Sequence, residues 1–369
     1  MPNRTVLALG AEMKSAPCLA TPEEFFACED TGDLGNPENY RSFVTAVEKL
    51  LKICDGNPDV VAVDMHPMYT ATKYAARLSA PVFPVQHHHA HIVSCMADRG
   101  VSGSVLGIAC DGTGYGTDGA IWGCELLACD VSGFARIGHL GEFPLPGGDS
   151  AAIETWRPAA SLLAVAAGTK WFESTTGKRI FGKVDPEALS VTLARLGKPA
   201  ALAKTTSLGR LFDAAAFISG LCDRNITDAC APVALQRAAE MSENHCHFTR
   251  RVYEKDGVLI MDQLPMIMEM ADAAATGESP GSLALGFHIS LAEMIADAAA
   301  GGAEKAGIKN IMLSGGCFLN WLLTETLAEK LGKAGLQVYT HDQISTGDAG
   351  IAVGQAIAAA CSDGSRVTK

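Results

Sequence analysis

The chain has 369 residues, 48% of them apolar and 19% charged, with a formal net charge of −12. That length exceeds one small core and points to two lobes or one large domain with an insertion. The acidic balance, without any Lys/Arg cluster, argues against a nucleic-acid partner, and no stretch reaches the ~20 apolar residues of a membrane span. The 12 cysteines are scattered without C-x-x-C spacing, which disfavours zinc fingers and a disulfide framework and suits reduced thiols. The opening MPNRTVLALG has no signal-peptide pattern, so a soluble cytoplasmic protein is expected.

TVLALG (5–10) is an apolar run ending in Gly, a buried strand and turn with SAPCLA (15–20) as hairpin partner. Phe43, Val44, Val47, Leu50 and Leu51 fall at helical spacing within an amphipathic helix over 39–51. VVAVDMHP (60–67) is a buried strand, 69–78 a helix stopped by Pro81, and PVFPVQ (81–86) a further buried strand. It delivers the chain into HHHAHIVSCMADRG, a helix ending at Gly100. SVLGIACDGTGYG (104–116) reads as a strand and Gly-rich turn, followed by strands at 120–130 and 134–140. A strand meander followed by helix–strand alternation thus occurs twice, which predicts a duplicated α/β unit. The first lobe is expected over 1–100 and the second over 101–369, with a helical insertion at about 145–275. After the insertion come a helix over 283–306, a strand and turn at IMLSGG (311–316), a helix over 320–331, a strand at LQVYT (336–340) and a last helix over 348–360. No low-complexity linker divides the chain, so the lobes should pack closely around a cleft.

Four of the ten histidines fall in QHHHAHI (86–92). His87 and His91 stand four apart, so in a helix both imidazoles project from one face and can share a divalent metal. The plain alternative is that these histidines cap strand and helix ends. In DGTGYGTDG (111–119), Asp111 ends a buried strand before Gly112, Gly114 and Gly116. Such a run lets backbone N–H groups approach a phosphate, or Asp111 can hold a metal; hairpins use the same residues. SGGCFLN (314–320) offers an anion or nucleotide seat at a helix start, with Asn320 as a hydrogen-bonding side chain, or is simply a tight loop. Cys317 within it has no neighbouring base and is read as structural. Asp348 in STGDAG is either an N-cap or a carboxylate ligand for the histidine pair. In PLPGGDSAAIETWRP (144–158), Arg157 presents a planar fork suited to phosphate, unless these charges only solvate a helix start.

Laid end to end, these segments resemble the C-terminal transferase domain of the HypF family of hydrogenase maturation factors. The resemblance is carried by ALGAEMKSAPCLA (8–20), VAVDMHPMYTATKYA (61–75), VQHHHAHIVSCMADRG (85–100), CDGTGYGTDGAIWGCELL (110–127), GHLGEFPLPGGD (138–149), TSLGRLFDAAAFISGL (206–221), LSGGCFLN (313–320) and GDAGIAVGQA (347–356). It implies an actin/Hsp70/sugar-kinase-like fold, a duplicated α/β unit around a nucleotide cleft with a helical insertion. It implies a metal, Fe or Zn, held by His87, His91, Asp111 and Asp348. It places ATP, ADP or carbamoyl-adenylate against Gly112, Gly114, Gly148, Asp213, Gly315, Gly316 and Asn320. Lys14, His66 and Arg157 would grip the carbamoyl phosphate end, and His88 or His66 would take a thiol proton.

The implied activity moves a carbamoyl group from carbamoyl-adenylate, made from carbamoyl phosphate and ATP, to the C-terminal cysteine of HypE, for cyanide ligand synthesis. Two departures stand out. TDACAPVALQ (227–236) has Ala234 where the family pattern places an acidic residue near the ribose. The acylphosphatase, zinc-finger and adenylate-forming regions of whole HypF proteins have no counterpart in this sequence, so nucleotide binding without autonomous carbamoyl phosphate activation is expected. The rival readings are a TsaD-like tRNA threonylcarbamoyltransferase, which the acidic balance disfavours, and an actin-like interaction module with a structural metal.

Overall fold

The structure, a computed structural model, describes residues 4–362. The first lobe begins with β1 (Val6–Ala8), β2 (Cys18–Ala20) and β3 (Phe25–Ala27), an antiparallel meander. Next come α1 (Pro37–Ile53), β4 (Val60–Asp64), α2 (Thr70–Tyr74), β5 (Val82–Val85) and α3 (His87–Asp98). Asn36 caps α1 by accepting the Glu38 N–H, and Pro37 suits the first helical turn, where its missing donor costs nothing. Among the described residues the sheet runs β3-β2-β1-β4-β5, with β4 parallel to β1 and β5 parallel to β4.

The second lobe repeats this order. β6 (Val105–Tyr115), β7 (Ile121–Asp130) and β8 (Gly133–Leu140) form the meander, followed by the short β9 (Phe143–Pro144). The insertion then supplies α4 (Ser150–Ile153), α5 (Trp156–Ala167), α6 (Thr175–Phe181), α7 (Pro186–Leu196), β10 (Lys204–Thr205), α8 (Leu208–Ile218), α9 (Cys230–Glu240), β11 (Arg251–Lys255), β12 (Val258–Asp262) and α10 (Leu264–Thr276). The chain closes with α11 (Pro280–Ala306), β13 (Asn310–Ser314), α12 (Trp321–Lys333), β14 (Gln337–Tyr339) and α13 (Ile351–Cys361). The order β8-β7-β6-β13-β14 matches that of the first sheet strand for strand, and the hairpin β11-β12 extends its edge beyond β8. This is the duplicated actin/Hsp70/sugar-kinase-like α/β fold expected from the sequence.

α3 and α13 lie between the sheets, packed on each other, α13 against the first sheet and α3 against the second. On the first sheet, Leu7, Leu9 and Leu19 face α1, while Val6, Ala8, Cys18 and Ala20 face α13. The period of two along β1 and β2 thus serves two apolar layers. On its other side α3 presents Ile92, Cys95 and Met96 to Val105, Ala109 and Trp122 of the second sheet. Gly107 allows that approach, because a Cβ there would lie 2.4 Å from Ile92 Cγ1. Gly354 does the same for α13, where a Cβ would meet the Ala90 carbonyl oxygen. The 27-residue α11 is long and apolar enough to cross a membrane, yet Leu283, Phe287, Leu291 and Ile295 are buried in the second core.

Three expectations are revised. A boundary giving all of 101–369 to the second lobe misplaces α13, which packs on β1, β4 and α3. The insertion at 145–275 is not wholly helical, since β11 and β12 lie within it. DGTGYG is not a turn; it is the end of β6, where the pairing with β7 shifts register between Cys110 and Gly114.

Candidate active site

β4 ends in Asp64, whose Oδ1 accepts the His66 backbone N–H at 2.8 Å. One strand on, after β5, Gln86 caps α3, its Oε1 accepting the His89 N–H at 2.8 Å. This cap starts the helix at His87, so the four-residue spacing brings His87 and His91 to one side. The irregular pairing of β6 presents Asp111 to them. Asp111 Oδ2 lies 3.2 Å from His87 Nε2 and 3.3 Å from His91 Nε2. Asp348, just ahead of α13, brings Oδ1 to 3.9 Å from His87 Nε2 and 3.7 Å from His91 Nε2.

Asp64 Oδ2 holds the far nitrogen of His87, Nδ1, at 2.8 Å, and both side chains are fully buried. Burial alone would lower the His87 pKa, but hydrogen bonds to Asp111 and Asp64 outweigh it and hold the group well above its ordinary value. His91 is raised in the same way, burial being overcome by Asp111 and Asp348. Burial would raise Asp111; its bonds to the two imidazoles push it well below the ordinary carboxylate range.

The four donor atoms of His87, His91, Asp111 and Asp348 all lie within 4.8 Å of one another. Two imidazoles and two carboxylates form a set suited to Zn or Fe, and a carboxylate behind the first imidazole is the usual outer partner of a metal-bound histidine. The residues therefore fit a divalent cation.

His88 is outside the four-residue donor group and fully buried, with ring distances of 5.4 Å to His87 and 6.2 Å to Trp122. The Gln86 carboxamide is oriented by His89, so its Nε2 donates to Tyr115 O at 3.1 Å and to His88 Nδ1 at 3.3 Å. The His88 proton is therefore on Nε2. Burial and the neighbouring His87 keep its pKa well below the ordinary value. His66 likewise accepts the Met68 N–H on Nδ1 at 3.2 Å and stacks on Tyr69. These bonds occupy Nδ1 of both rings, so in either neutral imidazole the proton sits on Nε2.

A cleft of about 230 Å3 opens beside the cluster. Asp111, Gly112, Gly316, Asn320 and Lys14 line it, together with Arg210, Asp228 and the apolar Pro232, Val233 and Leu319. Asn320 is fixed from both ends: its Oδ1 accepts the Leu323 N–H at 3.0 Å and its Nδ2 donates to His288 Nε2 at 2.9 Å. Lys14 Nζ reaches Asp228 Oδ2 at 3.0 Å, a pair joining the first lobe to the insertion. Lys14 and Ala229 both have left-handed backbones, with φ of 48° and 58°.

Other expected residues stand elsewhere. Gly114 lies under the histidines, where a Cβ would be 2.4 Å from His88 Cε1. Gly315 packs on β6, its φ of +112° and its closeness to Cys110 O both demanding glycine. Gly148 occupies an exposed turn with φ +55°. Asp213 is fully buried, pairing with Arg210 Nε at 2.9 Å and accepting from Asn225 at 2.9 Å. It thereby stands behind a cleft residue. The Arg157 guanidinium is occupied by Glu154, Thr192 and the Trp156 ring, and it is not among the residues lining the cleft. Burial pushes the Cys317 thiol well up, in keeping with a structural role. Sequence reasoning missed Asp64, although its place between a buried strand and His66 was visible; Arg210 and Asp228 gave no local signal.

A family model described as "Carbamoyltransferase, Kae1-like Domain, second subdomain" matches residues 107–355, and one described as "HypF Kae1-like domain" matches residues 1–98. A "Carbamoyltransferase HypF homolog" of Cupriavidus necator is 40% identical over 365 residues, covering 96% of this chain and 91% of that protein. "Carbamoyltransferase HypF" of Rhizobium leguminosarum bv. viciae is 35% identical, over 95% of this chain and 44% of its own length. The crystal structure of full-length HypF in the phosphate- and nucleotide-bound form superposes with a TM-score of 0.89 at 33% identity, covering 97% of this chain and 46% of that one. The chain thus spans nearly all of the first relative and about half the length of the second and of the solved structure.

Proposed function

The chain belongs to the HypF carbamoyltransferases, and on that premise we propose that it carries out the transfer half of their chemistry. A carbamoyl group moves from carbamoyl-adenylate, made from carbamoyl phosphate and ATP, to the C-terminal cysteine thiol of HypE in nickel–iron hydrogenase maturation. The supporting observation is that Asp111 belongs both to the four-residue cluster and to the wall of the cleft. A nucleotide seated there has its phosphate end beside His87, His91 and Asp348. A solved full-length HypF in phosphate- and nucleotide-bound form supports nucleotide binding in this family.

A divalent cation held by His87, His91, Asp111 and Asp348 would offset phosphate charge or polarise the carbamoyl carbonyl. Gly112 and Gly316 let the backbone come close to the phosphate. Pro232, Val233 and Leu319 give the base an apolar wall, and Lys14 supplies positive charge at the mouth. The acceptor thiol gives its proton to water; the thiolate attacks the carbamoyl carbon, a C–S bond forms, the C–O bond to the phosphate breaks and AMP leaves.

Purified chain supplied with HypE and a separate source of carbamoyl-adenylate should leave a carbamoyl group on the terminal cysteine, detected by mass spectrometry, and a folded His87→Ala variant should not. Unchanged transfer by that variant would overturn the reading. A tRNA gel shift at physiological salt would favour the TsaD-like alternative, and ATP-dependent AMP formation from carbamoyl phosphate by the chain alone would add the adenylating step to its activities.

A further inference from the structure

The two histidines of the cluster are placed by the start of α3, and the end of the same helix governs the fourth ligand. Asp98, the last residue of α3, has a side chain only 2% exposed. Its carboxylate accepts three successive backbone N–H groups: Asp342 at 2.6 Å, Gln343 at 3.0 Å and Ile344 at 3.2 Å. These residues open the loop that carries Asp348. His341, at the start of that loop, lies between Asp98 and β13: Nδ1 is 3.3 Å from Asp98 Oδ2, and Nε2 meets the buried Ser314 hydroxyl at 2.8 Å. Further along, Thr346 O accepts the Gly315 N–H at 2.9 Å. The loop is thus bonded at one end to the histidine helix and at the other to Gly315, the residue between β13 and the cleft-lining Gly316.

We propose that Asp98 and His341 are positioning residues, which pin the 341–348 loop so that the Asp348 carboxylate stands opposite His87 and His91. The proposal rests on the metal-site reading above. Neither residue belongs to the four-residue donor group, so each acts through another. Without the pin, a carboxylate on a loop of little regular structure would have to be ordered at the moment of metal binding, and the cost would appear as lost affinity.

The test is a Co2+ titration of the whole chain, followed by its visible absorption spectrum and by competition with Zn2+. The variants are Asp98→Ala, His341→Gln, Asp348→Ala and the double variant Asp98→Ala/Asp348→Ala. Asp98→Ala should weaken Co2+ binding about 10–100-fold, the usual effect of losing an outer partner, and shift the spectrum toward that of Asp348→Ala. The double variant should be no weaker than Asp348→Ala alone, because the two act on one contact. Wild-type affinity and spectrum in Asp98→Ala, or fully additive losses in the double variant, would overturn the proposal. His341→Gln, which keeps a side-chain amide toward Ser314, guards against a fold defect in Asp98→Ala and should give a smaller loss in the same direction. If wild-type protein takes up no Co2+, the metal-site reading itself falls, an outcome separate from normal uptake by every variant.

Discussion

Asp64 and His87 form a fully buried pair, Oδ2 to Nδ1 at 2.8 Å, which leaves His87 Nε2 turned toward Asp111. The imidazole is thus held in orientation, with Nε2 toward Asp111, before any ligand arrives. Asp64→Ala should reduce divalent metal affinity about 10–100-fold, with the other cluster residues intact. Competition titration against a chromophoric chelator measures it; unchanged affinity would show that Asp64 only fills space.

The same cluster sets a pH dependence. His87 and His91 stand above the ordinary imidazole value of 6.5, so their protonated forms stabilise the metal-free fold below that pH, and the contribution fades as pH rises through the folded values. Asp111 stands below the ordinary 3.8, so its contribution is present above that pH and fades as pH falls through its folded value. Chelator-treated protein should therefore melt highest between these limits and lose stability toward alkaline pH. Zn2+ should reverse the alkaline loss while releasing protons, because the imidazoles bind metal only when neutral. Melting curves from pH 4 to pH 9 check this, and a flat profile for the metal-free protein would contradict it.

Two glycines of one motif should respond oppositely. A Cβ at Gly114 would lie 2.4 Å from His88 Cε1 and 2.9 Å from His87 Cδ2, whereas nothing stands within 4 Å of a Cβ at Gly112. Gly114→Ala should cost about 1–3 kcal/mol of stability by overpacking and disturb metal uptake. Gly112→Ala should leave the melting temperature nearly unchanged and weaken nucleotide binding, measured by calorimetry with ADP. Equal behaviour of the two variants would undo the assignment of Gly112 to the cleft.

The Lys14–Asp228 pair is partly exposed, with side-chain exposures of 45% and 60%. Such pairs contribute roughly 0–1 kcal/mol to stability. Lys14→Met should therefore melt like wild type, yet bind ADP several-fold more weakly and with a shallower salt dependence. Full affinity in this variant would remove Lys14 from the phosphate end.

The grouping of His87, His91, Asp111 and Asp348 was legible because each sat at a visible junction: two histidines at helical spacing, and an aspartate beside each of two glycine-bordered stretches. Arg157 misled as a free fork, although two of its partners, Glu154 and Trp156, stand within PLPGGDSAAIETWRP; only Thr192, from a separate part of the insertion, has no signal there. β11 was hidden by its exposed, polar sequence, RVYEK, which shows no apolar alternation. A signal was nonetheless present in Asp256-Gly257, a two-residue hairpin loop with φ of 52° and 81°. The return of α13 to the first sheet is a long-range pairing, which no local pattern encodes.

That return has a consequence for how the molecule comes into being. Gln355 on α13 exchanges two hydrogen bonds with the backbone of Gly10, at 2.9 and 3.2 Å, and Gly354 lies against Ala90 of the histidine helix. As the polypeptide leaves the ribosome, β1 emerges long before its covering helix. Until that late segment arrives, one apolar face of the early strands stays open to solvent and to chaperones. The histidine helix gains that neighbour only then, and Asp348, just ahead of α13, joins His87, His91 and Asp111 at the same late stage.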